Sequence, residues 1–483
     1  MPQGMVINGQ VVLKKETLPV MNPAEGLEFD TVPRGDEHDV SRAVENAYSA
    51  YERLYTIPLH MRAKLLTKAA ELIRMRTEEL TALLTRETGK LLRDSKYELI
   101  RTAFIFDQAA IESRRAFEGF FQPLDAFELP AGNENRVAFS VREPLGVVAA
   151  IIPFNFPAAA FAHKVAPALA VGNSVVLKPS ILAPITAAKL AGIISEAGFP
   201  PGSVNVITGK SSEIGSALTD HELVSLITFT GSSNVGLELA SRAIKNGKKA
   251  IMELGGSDPL IVLEDANLEL AAKTAVKARF DYSGQFCNSV KRIIVREEIA
   301  NKFVSHFSEL VRGLRVGDPN DPESDIGPVI SEDVIGELDR AVADAVSKGG
   351  KLLVGGNRLK KPGFYYPATV IDEVPTSSIP LTTEIFAPLA PIVRVKSDED
   401  AVSIANSMEY GLNAAVFSTN FPRAYKLARK IKSGTVMIND STRLRWDALP
   451  YGGVKKSGIG REGMRDTMLE MTEEKMIEVN IAG

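Results

Sequence analysis

The amino-acid sequence predicts an α/β protein with two domains built on parallel sheets and a separate β arm. From residue 146, apolar runs such as GVVAAIIPF alternate with helical segments, as expected of strands that are buried on both faces. A second alternating series begins near residue 258 with PLIVLE. The chain has 483 residues, which is too long for a single hydrophobic core.

The composition is that of an ordinary globular protein, with 45% hydrophobic and 24% charged residues. The net charge is −4 and no basic block stands out, so a nucleic-acid partner is not expected. No apolar run approaches the ~20 residues that span a bilayer, and the N-terminus lacks the pattern of a secretory signal. Cys287 is the only cysteine, which excludes an intramolecular disulfide and favours a reducing, cytoplasmic location. The scattered histidines predict no metal site.

Several elements are predicted before residue 146. Residues 5–13 are typical of two strands joined by a turn at Asn8-Gly9. From Asp36 to about Phe117, apolar residues recur at spacings of three and four, which predicts helices separated at Pro58 and Gly89.

An arm is predicted at residues 119–142, which lack the helical period and alternate partly between apolar and polar residues. The C-terminal KMIEVNIA is predicted to be a last strand that pairs outside its own domain.

The two alternating series predict two sheets that meet near residues 253–258. In the first series, a helix is expected at 184–197, and the strands after GVVAAIIPF are NSVVLKPS, SVNVITG and VSLITFTG. In the second series, PLIVLE and RIIVRE are strands, with helices at 267–284 and 299–313 and further strands at 351–354 and 390–396.

Three glycines, Gly458, Gly460 and Gly463, match the spacing of a dinucleotide-binding fingerprint. That fingerprint requires a buried strand directly before it, whereas DALPYGGVKKS is polar and rich in turn residues. These glycines are therefore interpreted as loop geometry.

Three candidate catalytic residues follow predicted secondary-structure elements. A lone cysteine is ordinarily a small core residue, but Cys287 follows Gly284 and Gln285 at a turn, where its thiol and its N–H could face one ligand. Asn155 follows a buried strand and is either a turn residue or an amide donor to an oxyanion. Glu253 ends another strand and is either a surface residue or a general base.

Seven motifs together resemble the NAD(P)-dependent aldehyde dehydrogenase superfamily, from about residue 5 to the C-terminus. PFNFP, LKPS, FTGSSNVG, MELGG, GQFC, EIFAPL and YGLNAAVF occur in the order and spacing of that family. The resemblance implies that Cys287 is the nucleophile, that Glu253 is the general base and that Asn155 supplies the oxyanion-hole amide.

The resemblance also implies a set of residues that contact NADP or NAD, and a lysine of the active-site region, Lys164, whose role is less defined. The cofactor residues are Pro153, Phe154, Lys178, Ser180, Gly209, Gly215, Thr230, Gly231, Ser232, Leu254, Glu384 and Phe386. Among them, Lys178 resembles the lysine at the adenosine ribose, and Ser232 resembles the pyrophosphate contact at a helix N-terminus.

Departures from the family pattern bear on cofactor choice. Many NAD-preferring members have a glutamate, which accepts hydrogen bonds from the ribose, where Ile181 stands in this chain. NADP is therefore the expected cofactor, with NAD as the alternative. Phe154 stands at a position that is often tryptophan, and Ser257 at one that is usually lysine; the latter change has no interpretation from the sequence.

The resemblance implies an aldehyde dehydrogenase-like fold in three parts. A Rossmann-type cofactor domain is expected at 1–120 and 145–254, and a catalytic domain at 255–455. An oligomerisation element is expected at 121–144 and 456–483. Because the family forms dimers or tetramers, the chain is expected to form a homo-oligomer.

The residues expected to face the aldehyde are partly polar. They are Phe156, Ala159, Ala160, His163, Asp281, Phe286 and Asn288, with Arg443 and Arg445 in the loop 441–447 that is expected to close the entrance. Hydrogen-bonding groups predict a short hydroxylated aldehyde such as glyceraldehyde or lactaldehyde. An anionic aldehyde, such as succinate semialdehyde or glyceraldehyde 3-phosphate, is the alternative, since arginine binds carboxylate or phosphate. The arginines could instead only hold the loop through ion pairs.

The same predicted catalytic residues argue against other functions. Family members that transfer the acyl group to coenzyme A generally lack the glutamate of the ELGG motif, which Glu253 supplies here. A crystallin-like structural role is disfavoured because the three predicted catalytic residues are intact. Hydrolysis by Cys287 without cofactor is at most a side activity.

Overall fold

The computed structural model describes residues 3–115 and 117–482 of the chain, so the predicted domain limits at residues 1 and 483 lie outside the described residues. The described chain begins with short strands and long helices, namely β1 (Met5–Ile7), β2 (Gln10–Val12), β3 (Thr17–Asn22), β4 (Leu27–Pro33), α1 (Glu37–Thr56), α2 (Leu59–Met75), α3 (Thr77–Thr88) and α4 (Leu92–Glu112). Breaks at Pro58 and Gly89 separate these helices as predicted, and a further break at Arg76 separates α2 from α3.

An arm and the first alternating series follow. Their elements are β5 (Phe121–Pro123), β6 (Arg136–Pro144), β7 (Val147–Ile151), α5 (Pro157–Val171), β8 (Ser174–Lys178), α6 (Ile185–Glu196), β9 (Val204–Val206), α7 (Ser211–Asp220), β10 (Val224–Thr230), α8 (Ser233–Lys245) and β11 (Lys249–Glu253).

The second series and the C-terminal segment complete the described chain. They comprise β12 (Asp258–Val262), α9 (Leu268–Phe280), β13 (Val290–Arg296), α10 (Glu297–Arg312), α11 (Glu332–Ser347), β14 (Lys351–Val354), β15 (Thr369–Asp372), α12 (Ile379–Thr382), β16 (Leu389–Val395), α13 (Asp398–Asn406), β17 (Asn413–Phe417), α14 (Phe421–Lys430), β18 (Thr435–Ile438), β19 (Gly458–Ile459), α15 (Met464–Glu470) and β20 (Thr472–Asn480).

The first sheet has the strand order β19-β11-β10-β7-β8-β9-β1-β2, and its strands from β11 to β9 are parallel. Alternate residues of β7 belong to different hydrophobic clusters: Val148 packs with α5, whereas Val147 packs with α1. The strand is thus covered by helices on both faces, which explains why its sequence is an uninterrupted apolar run.

The second sheet has the order β14-β15-β16-β13-β12-β17-β18 and is parallel except for β14. The chain passes from the first sheet to the second between Glu253, which ends β11, and Asp258, which begins β12. The predicted α/β class with two parallel sheets is confirmed. Strands β15, β17 and β18 and the hairpin β3–β4 were not among the predicted elements.

One predicted helix was too long. The sequence predicts a helix over 267–284, but α9 ends at Phe280 because Tyr282 and Ser283 have positive φ angles of 44° and 56°. A right-handed helix cannot continue through that conformation.

The arm forms a three-stranded antiparallel sheet in which β6 lies between β5 and β20. The last strand therefore pairs outside both large sheets, as the sequence predicts. Two other parts of the segment 456–483 pack on the first sheet and its helices: β19 pairs with β11, and Met464 and Met468 of α15 join the cluster around α5. The three-part division of the chain stays a prediction.

Helix α5 packs against β7 and β8 of the first sheet, and each of its residues is buried. Its first turn is anchored by Glu98, whose Oε1 accepts hydrogen bonds from the N–H groups of Ala158 and Ala159 at 2.9 and 3.2 Å. The turn that carries Asn155 therefore stands on a rigid element. No helix in the described residues is long and apolar enough to cross a membrane.

Candidate active site

The segment that leads to Cys287 is held in a strained turn. Tyr282, Ser283 and Gly284 have consecutive positive φ angles of 44°, 56° and 69°, which cost about 1–3 kcal/mol at each non-glycine residue. Two long-range hydrogen bonds hold the turn: Tyr282 Oη donates to the Thr88 carbonyl at 3.1 Å, and Ser283 Oγ donates to the Gly327 carbonyl at 2.7 Å. The surrounding structure thus forces the chain to turn before Cys287.

Cys287 follows this turn and is half-buried. Its Sγ lies 3.7 Å from Tyr451 Oη. Burial raises the pKa of the thiol to about 11, against the opposing effects of Lys291 and Tyr451. The thiol is therefore protonated at neutral pH in this state, and its reaction requires a base or a change in its surroundings.

The Asn155 side chain faces the same segment. Asn155 Nδ2 donates to the Gln285 carbonyl at 3.0 Å, and Asn155 Oδ1 accepts from the N–H of Phe156 at 3.1 Å. Both contacts define the direction of the amide, and its second N–H remains for a ligand. The structure therefore brings the amide of PFNFP to the turn of GQFC.

Glu253 is buried rather than a surface residue. Its Oε1 has no hydrogen-bond partner in the described part of the chain. Burial, together with the negative charge of Glu462, raises the pKa of Glu253 well above its ordinary value. A buried carboxyl group with a raised pKa, whose charge also acts on the Cys287 thiol, has the property expected of a general base.

Glu462 is held by two cations. Lys164 Nζ donates to its Oε1, and Arg445 Nη2 donates to its Oε2, each at 3.0 Å. These contacts hold the pKa of Glu462 well below its ordinary range in spite of its burial. Glu462 was not predicted, because it lies in a turn-rich stretch whose pattern shows no buried face.

The predicted nicotinamide-side residues meet at a second point of the site. Glu384 Oε1 forms an ion pair with Lys291 Nζ at 2.9 Å and accepts a hydrogen bond from the Gly256 N–H at 3.2 Å. The rings of Phe386 and Phe154 meet edge to face with their centroids 6.1 Å apart. A Cβ atom at Gly255 would collide with Glu384, so the glycines of MELGG make room for this carboxylate.

The adenosine-side residues line the carboxyl edge of the first sheet. Lys178 ends β8, and burial lowers the pKa of its ammonium group to about 8. Ser232 directly precedes α8, whose first N–H groups lack partners within the helix. The other predicted contacts lie at the end of β10, in the connections at the same edge or in α7, and these are Pro153, Ser180, Gly209, Gly215, Thr230, Gly231 and Leu254.

This edge fits a dinucleotide. A buried lysine with one long contact, from its Nζ to the Pro179 carbonyl at 3.3 Å, has donors to spare. Ile181 is 39% exposed and offers no side-chain acceptor there. Among the described residues, no group of His, Cys, Asp or Glu is arranged to hold a metal ion.

The predicted substrate residues contact one another or the loop 441–447. Phe156 stacks on Phe286 with ring centroids 5.3 Å apart, Asp281 forms an ion pair with Arg443, and Asn288 Nδ2 donates to the Thr442 carbonyl at 3.2 Å. His163 Nε2 lies 3.2 Å from Asp447 Oδ1. Burial is the main reason why the pKa of His163 is lowered to about 4, and the positive charge of the nearby Arg445 adds to this effect.

Three further residues of the site were missed from the sequence: Tyr451, Lys291 and Asp447. Tyr451 directly follows the family-like Pro450. Lys291 lies within an apolar strand, and a lysine that interrupts such a strand is the only feature of the sequence that could have indicated its role. Asp447 accepts hydrogen bonds from Arg101 at 2.6 and 3.0 Å and thereby fixes the loop 441–447.

Comparison with known proteins places these features in context. The profile of the aldehyde dehydrogenase family matches residues 11–477. A 3-sulfolactaldehyde dehydrogenase of Priestia aryabhattai is 38% identical over 478 residues, 99% of this chain and 98% of the relative. A lactaldehyde dehydrogenase of Methanocaldococcus jannaschii is 38% identical over 480 residues, 99% and 100% of the two chains. An NADP-dependent glyceraldehyde-3-phosphate dehydrogenase of Streptococcus equinus is 39% identical over 477 residues, 99% and 98% of the two chains.

Solved structures agree with the fold. The structure is similar to an NADP-dependent glyceraldehyde-3-phosphate dehydrogenase from Bacillus halodurans in complex with NADP, with a TM-score of 0.96, 36% identity and complete coverage of both chains. It is also similar to an NAD-dependent aldehyde dehydrogenase from Sinorhizobium meliloti, with a TM-score of 0.95, 33% identity, and coverage of 100% of this chain and 95% of that one.

Proposed function

This chain belongs to the aldehyde dehydrogenase family, as its motifs predicted, and we propose that this NAD(P)-dependent enzyme oxidises a small hydroxylated aldehyde to its carboxylic acid. The observation that supports this proposal most is the convergence of Cys287, Asn155 and Glu253 at the passage between the two sheets. Glyceraldehyde and lactaldehyde are the proposed substrate types.

The first chemical step is attack of the Cys287 thiolate on the aldehyde carbon. The carbonyl π electrons move to oxygen, and the free N–H of Asn155 together with the backbone N–H of Cys287 can hold the resulting alkoxide. Glu253, with its raised pKa and its unpaired Oε1, can accept the thiol proton.

Bound NADP or NAD supplies a hydride acceptor. Loss of hydride from the former aldehyde carbon leaves a thioester on Cys287 Sγ. Glu253 then takes a proton from water, whose oxygen attacks the thioester carbon, and Cys287 leaves as the thiolate. The two electrons that leave with the hydride and the oxygen that water adds account for the conversion of aldehyde to acid.

NADP is the proposed preferred cofactor. Lys178, Glu384 and Phe386 would contact it, and the N-terminus of α8 would face its pyrophosphate. Ile181 offers no carboxylate to repel a 2′-phosphate, whereas Lys178 supplies a positive charge near that edge. Similar proteins whose names specify NADP support the proposal.

The substrate proposal depends on the polar groups that the structure gathers beside Phe156 and Phe286. These side chains keep donors and acceptors beyond the contacts that they make within the protein, and such groups favour a substrate with a hydroxyl group over an apolar one. The relatives named for lactaldehyde and 3-sulfolactaldehyde also support a hydroxylated aldehyde.

A second candidate is an anionic aldehyde that binds Arg443. This arginine is only partly buried, and it lies over the Phe286 ring at 4.4 Å while paired with Asp281. A carboxylate, phosphate or sulfonate could compete with Asp281 for its guanidinium group. Arg445 is a poorer candidate because Glu462 and Asp447 already compensate its charge.

The deciding experiment compares kcat/KM for glyceraldehyde, lactaldehyde, propanal, hexanal, succinate semialdehyde and glyceraldehyde 3-phosphate. Hydroxylated neutral aldehydes are expected to exceed propanal by at least about tenfold. Hexanal exceeding glyceraldehyde would contradict the proposal. A preference for the charged aldehydes would favour the second candidate.

We further propose a cytoplasmic homo-oligomer assembled through the arm. Its sheet exposes the apolar side chains of Phe121, Met476 and Val479, and Ile481 is exposed directly after the last strand. These side chains would be costly to leave in water. Light scattering after size-exclusion chromatography tests this assembly.

A further inference from the structure

We propose that Lys291 is a positioning residue for the nucleophile, because its ammonium group fixes the peptide that carries the Cys287 N–H and connects that peptide to Glu384. The proposal rests on the proposed function of Cys287. It concerns a residue that makes no contact of its own with the aldehyde in that function.

Lys291 lies in β13, is 2% exposed, and its ammonium group has two hydrogen-bond acceptors and one ion-pair partner. Nζ donates to the Phe286 carbonyl at 2.7 Å and to the Cys287 carbonyl at 2.6 Å, and it contacts Glu384 Oε1 at 2.9 Å. A buried ammonium group that is held by two hydrogen bonds and one ion pair has little freedom to reorient. The three contacts therefore hold the nucleophile loop against the carboxylate.

The contact with Phe286 acts directly on the proposed oxyanion donor. The Phe286 carbonyl and the Cys287 N–H belong to one planar trans peptide, in which they point in opposite directions. Anchoring the carbonyl on the side of Lys291 therefore directs the N–H to the other side. The positive charge also polarises this peptide, which strengthens the hydrogen bond that its N–H can donate.

The same ammonium group balances the charges that face the thiol. Glu253 and Asp258 both oppose ionisation of Cys287, whereas the charge of Lys291 and the hydroxyl of Tyr451 favour it. Burial raises the pKa of Asp258 to about 8, so this carboxyl group is neutral for most molecules at pH 7. The positive charge of Lys291 thus acts on the thiol without full compensation from Asp258.

The turn of MELGG completes the arrangement. The Gly256 N–H donates to the same Glu384 oxygen that contacts Lys291, at 3.2 Å. A Cβ atom at Gly256 would lie 2.7 Å from the Cys287 carbonyl oxygen, so the turn can approach the nucleophile loop only because this residue is glycine. Lys291 therefore connects the nucleophile loop to Glu384, which is the proposed cofactor contact and also binds the turn between the two sheets.

The test compares Lys291→Met with Lys248→Met. Lys248 is also a buried lysine that donates to two carbonyls, those of Thr219 and His221 at 2.9 and 2.7 Å, but it precedes β11, whose far end carries Glu253. The length of this five-residue strand separates Lys248 from the site by about 15 Å. Both variants lose a buried ammonium group, and only one of them loses contact with the nucleophile loop.

Two measurements report on the proposed role, and thermal unfolding reports on stability. The first is the rate of alkylation by iodoacetamide against pH in the cofactor-free protein, which reports on one thiol because Cys287 is the only cysteine of the chain. The second is the rate of the single-turnover burst of reduced cofactor.

Lys291→Met is expected to move the alkylation midpoint upward by about one pH unit or more and to slow the burst about 10²-fold. Lys248→Met is expected to lower the Tm while leaving the midpoint and the burst near those of the wild type.

A Lys291→Met protein whose midpoint and burst match those of Lys248→Met would overturn the proposal. If this variant does not fold, Lys291→Gln is measured in the same way, since it keeps a neutral donor at the same position. It is expected to show a raised midpoint and a slower burst, and wild-type values would overturn the proposal. Failure of the proposed function would appear separately, as turnover by a Cys287→Ser enzyme.

Discussion

Glu253 and Glu462 lie close enough in the buried centre of the molecule that the ionised carboxylate of Glu462 raises the pKa of Glu253. The asymmetry of this pair has a cause in the structure. Lys164 and Arg445 bind both oxygens of Glu462, whereas Glu253 Oε1 has no partner in the described part of the chain. One carboxyl group is therefore kept ionised and the other is kept ready to exchange a proton.

Replacing Glu462 is predicted to lower the pKa of Glu253. Glu462→Gln removes a negative charge and leaves the cations Lys164 and Arg445 facing Glu253, and both effects favour its ionised form. The acidic limb of the kcat profile should therefore move to lower pH. Loss of the carboxylate that both buried cations bind should also reduce the Tm. An acidic limb at the wild-type position would contradict the coupling of the two carboxyl groups.

Cys287→Ser is predicted to abolish dehydrogenase turnover while leaving the fold intact. The serine side chain is only slightly smaller than that of cysteine, so a half-buried position accommodates it. Its hydroxyl, however, is a far weaker nucleophile than a thiolate. Steady-state assay measures the loss, and circular dichroism together with binding of NADP checks the fold. More than a few per cent of wild-type turnover would contradict the proposed mechanism.

Glu253→Gln is predicted to separate acylation from hydrolysis. The first turnover should still produce a burst of reduced cofactor, slowed if Glu253 also takes the thiol proton, and steady-state turnover should fall because water is no longer activated. Rapid mixing followed by steady-state recording measures both phases. Normal steady-state turnover in this variant would remove Glu253 from the mechanism.

Ile181→Glu is predicted to shift cofactor preference towards NAD by at least about tenfold. A carboxylate at this exposed position would accept hydrogen bonds from ribose hydroxyls and repel a 2′-phosphate. The measurement is kcat/KM with each cofactor. Ile181→Gln is the matched control, since it adds an acceptor without the charge. An unchanged ratio in the glutamate variant, or a strong wild-type preference for NAD, would contradict the proposed cofactor site.

Two arginine variants are predicted to differ in their effects on substrate choice. Arg445→Gln should reduce activity on all aldehydes, because Arg445 holds Glu462 and lies over the Tyr451 ring at 4.1 Å. Arg443→Gln should leave glyceraldehyde within about threefold of the wild type, because Arg443 pairs with Asp281 at the partly exposed side. A large loss in Arg443→Gln confined to anionic aldehydes would promote the second candidate function.

Much of the fold was predictable because its signals are local. The apolar runs that became β7, β8, β10 and β12 alternate with helices, and this pattern follows from burial on both faces of a parallel sheet. The end of α9 was not predictable, since the positive φ angles of Tyr282 and Ser283 depend on bonds to the distant Thr88 and Gly327. A propensity for helix was overridden there by tertiary contacts.

The sequence by itself determined the α/β class, the family and the identity of Cys287, Asn155 and Glu253 as candidates, because each depends on a short run of neighbouring residues. Only the tertiary structure decided which groups surround them. Lys291, Tyr451 and Glu462 reach the site from separate segments, and the partners of Arg443 and Arg445 turned out to be acidic residues of the protein itself. The pKa values of Cys287 and Glu253 depend on burial and on charges that folding brings within a few ångströms, and no local pattern of residues records those distances.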